Sequence, residues 1–205
     1  MVKDQAVIAL IDKKDKFAFL NLASKIRHEV SFAIKNSLPY EGHIISEFWN
    51  QCNKKHNDHA GIFQVGNKKI ELEDVSITKD LPVTIGLQSC INFILGLSSN
   101  VWRYCEVGNT FGSAEISDTG LYNPVAPRID MTVFGTKEPI GMNIRFLAVF
   151  GETHPATTIS ECGVFNQASG PLMLNHNVFP ENPLIRIFGQ QVAVVSSIVE
   201  FCPKA

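Results

Sequence analysis

Apolar residues recur along the chain with two different periods, and the change falls near residue 60. Between Phe17 and Ile34 the residues Phe19, Leu22, Ala23, Ile26, Val30, Ala33 and Ile34 return every three or four positions, while Lys25, Arg27 and Glu29 lie off that stripe. Side chains three and four apart share one helix face, so the spacing predicts an amphipathic helix. Pro39 and Gly42 punctuate it, and Ile45, Phe48, Trp49 and Cys52 then mark a second, shorter apolar face at helical spacing. Two helices with a short connection predict an antiparallel pair, followed by the polar run NKKHNDH, residues 53–59, as a loop.

From Gly61 the period is mostly two. GIFQV and KIELEDVSI flank Gly66 and Asn67 as the arms of a hairpin, and MNIRFLAVF alternates Ile144, Phe146, Ala148 and Phe150 against Asn143, Arg145, Leu147 and Val149. One helical interruption stands out. In GLQSCINFILG, residues 86–96, Leu87, Cys90, Ile91, Ile94 and Leu95 fall at helical spacing, and Gly96 stands where a left-handed terminating residue belongs. Strands are predicted again at VWRYCEV, IDMTVF, MNIRFLAVF, TTISECGVF, LMLNHNVF and LIRIFGQQVAVVSSIVEF, the last bent or bulged at Gly189. Many short strands divided by Gly, Pro and Asn turns point to a mainly β chain: an antiparallel β-sandwich over residues 61–205, with one inserted helix. Residues 1–60 read as an N-terminal helical attachment element, whose removal is expected to leave a folded β domain.

Composition narrows the function. With 205 residues, 45% of them hydrophobic and 19% charged, the chain can bury a sizeable core. A net charge of −2 leaves no basic excess to neutralise phosphates, which speaks against nucleic acid as a partner. No run approaches the roughly 20 apolar residues of a bilayer helix, so no membrane partner is expected. The start, MVKDQAVIALIDKKDK, closes its short apolar run with charges rather than a small-residue cleavage site, which predicts synthesis in a cytoplasm. Cys52, Cys90, Cys105, Cys162 and Cys202 show no paired spacing and read as reduced thiols.

The residue that raises a question is Glu161, a carboxylate between Ile159 and Phe165 in a strand that otherwise reads as buried. A desolvated carboxylate can serve as a general acid or base, but that needs a second group, and Glu152 and His154 in the nearby turn GETHPA have no catalytic spacing. The alternative is a structural carboxylate satisfied by backbone donors near the following turn or by a cation at a subunit contact. Cys52, His56 and His59 have a C-x3-H-x2-H spacing that could hold zinc, yet only three ligands are local, with Asp58 or His43 as a fourth. Cys162, with His154 or His176 as base, could be a nucleophile, though no motif supports it, and VGNTFGSAE lacks the lysine and following helix of a phosphate loop. No catalytic, cofactor or metal residue is therefore assigned. Among Trp49, Trp102, Tyr104, Tyr122 and Phe111, the loop residues Phe111 and Tyr122 are the candidates for stacking on a receptor glycan.

From about Gly61 to Phe201 the order of segments resembles a family of small β-sandwich virion proteins encoded by tailed viruses of bacteria and archaea. The matching segments are GLQSCINFILG, VGNTFGSAEISDTGLYNPV, ISECGVFNQASGPLMLNHNVF and VVSSIVEF. The resemblance implies a structural subunit of a tail, baseplate, fibre attachment or particle surface, localised in the virion. It would contact copies of itself and other virion proteins, with a host surface glycan as a further partner and no catalysis. It makes Glu161, Gly163, Phe165, Asn175 and Phe179 interface or structural residues. Cys162 and the pair Asn175–His176 depart from the family's commonest form, which has a branched aliphatic and an Asn-Arg pair there. The competing classes are a receptor-binding fibre module and a small hydrolase or metal enzyme.

Overall fold

The structure is a computed structural model and describes residues 5–40, 44–79, 81–99, 101–110, 112–140, 143–151, 157–179, 183–186 and 190–200. Strand β1, Gln5–Asp12, leads through a single 3-10 turn into helix α1, Lys16–Lys35, and then α2, Ile44–His56. The hairpin β2, Ile62–Val65, and β3, Lys68–Lys79, precedes α3, Thr84–Ile94, and β4, Tyr104–Gly108. After a long loop come β5, Ile129–Asp130, the one-turn α4, Met131–Phe134, β6, Gly135–Ile140, and β7, Asn143–Phe150. The chain closes with β8, Thr157–Ile159, β9, Glu161–Phe165, β10, Met173–Val178, β11, Leu184–Arg186, and β12, Gln191–Glu200. The protein is mainly β, with antiparallel sheets.

One sheet has the order β2-β3-β1-β12-β7-β6, a second β10-β9-β4-β5, and β11 pairs with β8. The central strands β1, β12 and β7 of the six-stranded sheet are largely buried on both faces, which explains runs too continuous for simple alternation. Ala6, Ile8 and Leu10 of β1, Phe146 and Phe150 of β7, and Ala193 and Val195 of β12 share one core with Val107, Cys162, Val164 and Leu174 from the four-stranded sheet. Their neighbours Val7, Ala9, Ile11, Leu147, Val149, Val192 and Val194 face the opposite way, into a core closed by the helices. A strand covered on both sides needs apolar residues at every position.

The helical stripes are used on this second core. Phe19, Leu22, Ala23 and Ile26 of α1 and Ile45, Phe48, Trp49 and Cys52 of α2 are buried in it. α1 lies over β6 and β7 and α2 over β3 and β2, and the helices meet where Phe19, Phe48 and Phe63 stack with centroids 5.5–5.6 Å apart. Each helix thus packs chiefly on the sheet rather than on the other, unlike the expected pair. The Trp49 indole N–H donates to Ser196 Oγ at 2.9 Å, which ties α2 to the middle of β12.

The boundary drawn at residue 60 runs through a single sheet. β1 lies within the supposed helical element, yet it is hydrogen-bonded to β12 on one side and β3 on the other. The N-terminal residues therefore belong to the same body as the β strands. Other differences are local. IDMTVF is not one strand: after Asp130 the chain turns into α4, capped by the Asp130 carboxylate accepting from the Thr132 N–H at 2.8 Å. TTISECGVF breaks at Ser160, sending β8 to β11 and β9 to β4 and β10. The predicted hairpin turn is present, with Gly66 at φ 59°, and Gly96 ends α3 at φ 71°. Gly189, the expected bend, lies outside the described residues.

Candidate functional site

The strand that carries Glu161 has two unlike faces, and this answers the question its sequence raises. Cys162 and Val164 point into the core between the sheets. Glu161, Gly163 and Phe165 alternate with them and face the loop that joins β4 to β5. Register places Glu161 opposite Val178 of β10 and His176 opposite Gly163, so Glu161 and His176 are diagonal neighbours on one face. Both side chains are fully buried.

Two backbone N–H groups of the loop converge on the carboxylate: Asn123 donates to Oε1 at 2.8 Å and Tyr122 to Oε2 at 3.1 Å. His176 Nε2 stands 2.8 Å from Glu161 Oε2, and its Nδ1 stands 2.6 Å from Asp118 Oδ2. The Tyr122 hydroxyl donates to Asp118 at 3.0 Å, and its ring lies edge-on to the imidazole at 4.9 Å. Beside this row, Ser160 Oγ accepts from Thr110 N–H at 2.7 Å and donates to Thr110 carbonyl at 2.6 Å, and Asn109 N–H donates to the Asn123 carbonyl. The loop is thereby fastened at both ends and in its middle. Glu161 accepts from backbone donors, which come from the loop before its strand and not from the turn after it.

The electrostatics fit a charged imidazole. Burial opposes charge on His176, but the hydrogen bonds to Glu161 and Asp118 and their negative charge outweigh it, leaving its pKa above the ordinary 6.5. For Asp118, burial is outweighed by bonds from the Glu115 N–H, His176 and Tyr122, and its pKa lies below the ordinary 3.8. Burial and the bond to Asp118 push the Tyr122 hydroxyl up to about 12, so it stays a donor. The arrangement is an imidazole held between two carboxyl groups, a setting that favours its charged form.

A second pair lies nearby. Arg128 Nε donates to Glu106 Oε2 at 3.1 Å, and the guanidinium sits 3.4 Å over the Phe165 ring. Burial raises the pKa of Glu106 above the ordinary 4.5, and the Arg128 charge offsets only part of that rise. Asn175 links layers: its Oδ1 accepts from the Val164 N–H at 3.0 Å, and its Nδ2 donates to Ser197 Oγ of the six-stranded sheet at 2.5 Å. Phe179 is buried, with its N–H on the Ser160 carbonyl. Glu161, Gly163, Phe165, Asn175 and Phe179 are all interior to one chain.

The row does not present a nucleophile to a base. Both nitrogens of His176 are engaged, and Cys162 lies on the other face of β9, its thiol 3.9 Å from the Asn177 amide. The other chemistry candidates stay apart. Cys52 is buried among the helices, where burial raises its thiol pKa well above the ordinary value, while His56 and His59 are exposed. Among the described residues no group of three His, Cys, Asp or Glu side chains is placed to hold a metal ion. Trp49 is fully buried and Trp102 and Tyr104 are partly buried against the cores. Tyr122 is 46% exposed, and Phe111, Glu152, His154 and His43 lie outside the described residues.

Sequence reading missed Asp118 as a partner of His176. The available signal was its place in the S-D-T segment of the resemblance; nothing local indicated a contact with a residue 58 positions away. Gly108, opposite Glu161 in register, is required by the same packing, since a Cβ there would collide with the Glu161 carboxylate and the Asn123 carbonyl. Gly108→Ala should therefore lower stability by about 1–3 kcal/mol, as overpacked interiors do, measured by urea unfolding. An unchanged midpoint would mean that the carboxylate is not held where the loop requires it. In comparisons with protein-family models, curated proteins and solved structures, nothing matches this chain.

Proposed function

We propose that the protein is a structural, non-enzymatic subunit of a virus particle, in a tail, baseplate, fibre-attachment or surface position, working through contacts with copies of itself and with other virion proteins. The observation that carries this reading is the convergence of the segments that bear the family resemblance. Asp118 of S-D-T, Glu161 of I-S-E and His176 of the N-H-N strand form one hydrogen-bonded row that fastens a loop, and Phe165, Asn175 and Phe179 of the same strands and their ends are buried in the adjoining cores. Residues that recur together for a structural purpose would converge in this way. On this reading the two sheets that share a core are the two leaves of a sandwich, with the helices as a third layer.

The surface supports contact-making as the mode of action. Residues 81–102 contain no charged side chain, and α3 and the turn after it expose Leu87, Ile91, Phe93, Leu95 and Leu97. Apolar surface of this kind is characteristic of protein contacts. Glycan binding at a fibre tip draws on Tyr122 alone among the described aromatic candidates, and its hydroxyl and ring are already occupied by Asp118 and His176.

The test is to purify particles by density gradient from the culture that makes the protein and to quantify the chain by mass spectrometry. The expected result is a fixed copy number relative to the major particle proteins. Recovery only in the unassembled fraction overturns the reading.

A further inference from the structure

The stripe of α1 is only partly covered in its C-terminal half. Phe19, Leu22, Ala23, Ile26 and Ala33 are buried, but Val30 is only partly buried and Ile34 is 71% exposed. Beside these last turns the edge strand β6 and the short α4 complete a groove of about 570 Å³, whose apolar lining includes Val30, Ile34, Met131 and Pro139. Arg27, Lys35 and Lys137 line it as well, and the described lining residues include no carboxylate.

The groove is lined by apolar and cationic side chains, and two of the cations, Arg27 and Lys137, are partly buried. The Arg27 guanidinium donates to the Gly135 carbonyl, and Lys137 Nζ to the Trp102 carbonyl at 2.8 Å. Each has found a neutral acceptor. Burial lowers the pKa of Arg27, and burial together with the Arg103 charge lowers that of Lys137. Asp130, the acidic group that attracts Lys137, is itself ion-paired with Arg103. A partly buried cation beside a carbonyl gains from an anion brought to it with an apolar body that also covers the apolar lining. The groove is open to solvent, whereas a small-molecule site encloses most of its ligand, so it suits a segment of another chain.

We infer that the groove between α1 and β6 docks a segment of another virion protein that places apolar side chains on Val30, Ile34, Met131 and Pro139 and Asp or Glu side chains against Arg27, Lys35 and Lys137. The inference rests on the virion reading, and it names the chemistry of one partner. Edge strand β6 carries Pro139, which cannot donate to a further strand, so the segment is held by side chains in the groove rather than by extending the sheet.

The test puts the photo-crosslinker p-benzoylphenylalanine in place of the exposed Ile34, with a control in place of Ile62 at the other edge of the sheet. Particles are purified, irradiated and digested, and the joined peptides are sequenced. From position 34 one segment of a different virion protein is expected, with Asp and Glu outnumbering Lys and Arg, and Ile62 should not yield it. Lys35→Glu with Lys137→Gln should abolish that crosslink while thermal unfolding of the isolated protein shows the same cooperative transition. A crosslink to a basic segment, to lipid or to a second copy of this chain overturns the inference, as does one insensitive to the charge changes. If the protein is in the particle and position 34 joins nothing, the groove proposal fails and the virion reading stands. Absence from the particle removes both.

Discussion

A chain lacking residues 1–60 is expected to show no cooperative unfolding transition. The deletion removes β1, whose residues Ala6 to Ile11 are each at most 1% exposed and which joins β3 to β12 in the middle of the six-stranded sheet. What remains is a β2–β3 hairpin severed from the β12-β7-β6 half, and an isolated hairpin is marginal in water. Both cores open at once, because β1 alternates its side chains between them and α1 and α2 close the second. Fully burying a Val, Leu, Ile or Phe side chain stabilises by about 1.5–3 kcal/mol. Val7, Ile8, Leu10, Ile11, Phe19, Leu22, Ile26, Ile45 and Phe48 together contribute on the order of 15–25 kcal/mol as an upper estimate, against a typical domain stability of about 5–15 kcal/mol. Circular dichroism during heating and urea titration should show a gradual change rather than a sigmoid. A truncated protein that melts cooperatively would make the β strands an independent domain after all.

What could be read from the sequence is what local spacing determines. The stripes of α1 and α2, the hairpin turned at Gly66, the helix ended by Gly96 and the alternation along β7 all follow from neighbours a few residues apart. β1 carries no such signal: AVIALI has no alternation, and a six-residue apolar run has no period that separates a doubly covered strand from any other buried piece. Its place in the fold depends on α1, α2 and the second sheet lying on opposite faces, which spacing cannot express. The break at Ser160 has the same origin, since the two halves of TTISECGVF are claimed by different sheets.

The candidate site divides likewise. Glu161 stood out because a carboxylate in an apolar strand is costly unless paired, so its strangeness was local information. Its partners were not. Tyr122 and Asn123 lie almost forty residues upstream, and His176 reaches it only because the register of β9 and β10 sets them on one diagonal. With Asp118 and Glu161 on either side of it, His176 can bridge two carboxylates that a neutral side chain would leave in conflict.

That bridge makes the protein's stability depend on pH in a predictable direction. His176 has a folded pKa above its ordinary 6.5, so the native state holds a proton that the unfolded chain gives up. Its contribution is fully present below about pH 6.5 and is lost as pH rises through the raised folded value. A neutral imidazole donates from one nitrogen only, leaving either Asp118 or Glu161 facing a lone pair, with the Tyr122 hydroxyl and the nearby Glu115 unable to replace the charge. On the acid side the order is reversed: Asp118, depressed below its ordinary 3.8, contributes above that value and loses its contribution as pH falls through the folded one. Urea unfolding measured from pH 4 to 9 should thus show stability declining above neutrality. Glu161→Ala strips an acceptor from two backbone N–H groups and from the imidazolium, and should cost about 3–5 kcal/mol at pH 6, as for one partner of a buried pair. Glu161→Gln keeps the shape but turns an N–H towards His176 or Tyr122, and should cost about 1–3 kcal/mol while flattening the alkaline decline. His176→Gln should remove the decline as well, because the titrating group is gone. If both variants keep the full alkaline slope of the parent, another group is responsible, and the proton does not sit between Asp118 and Glu161.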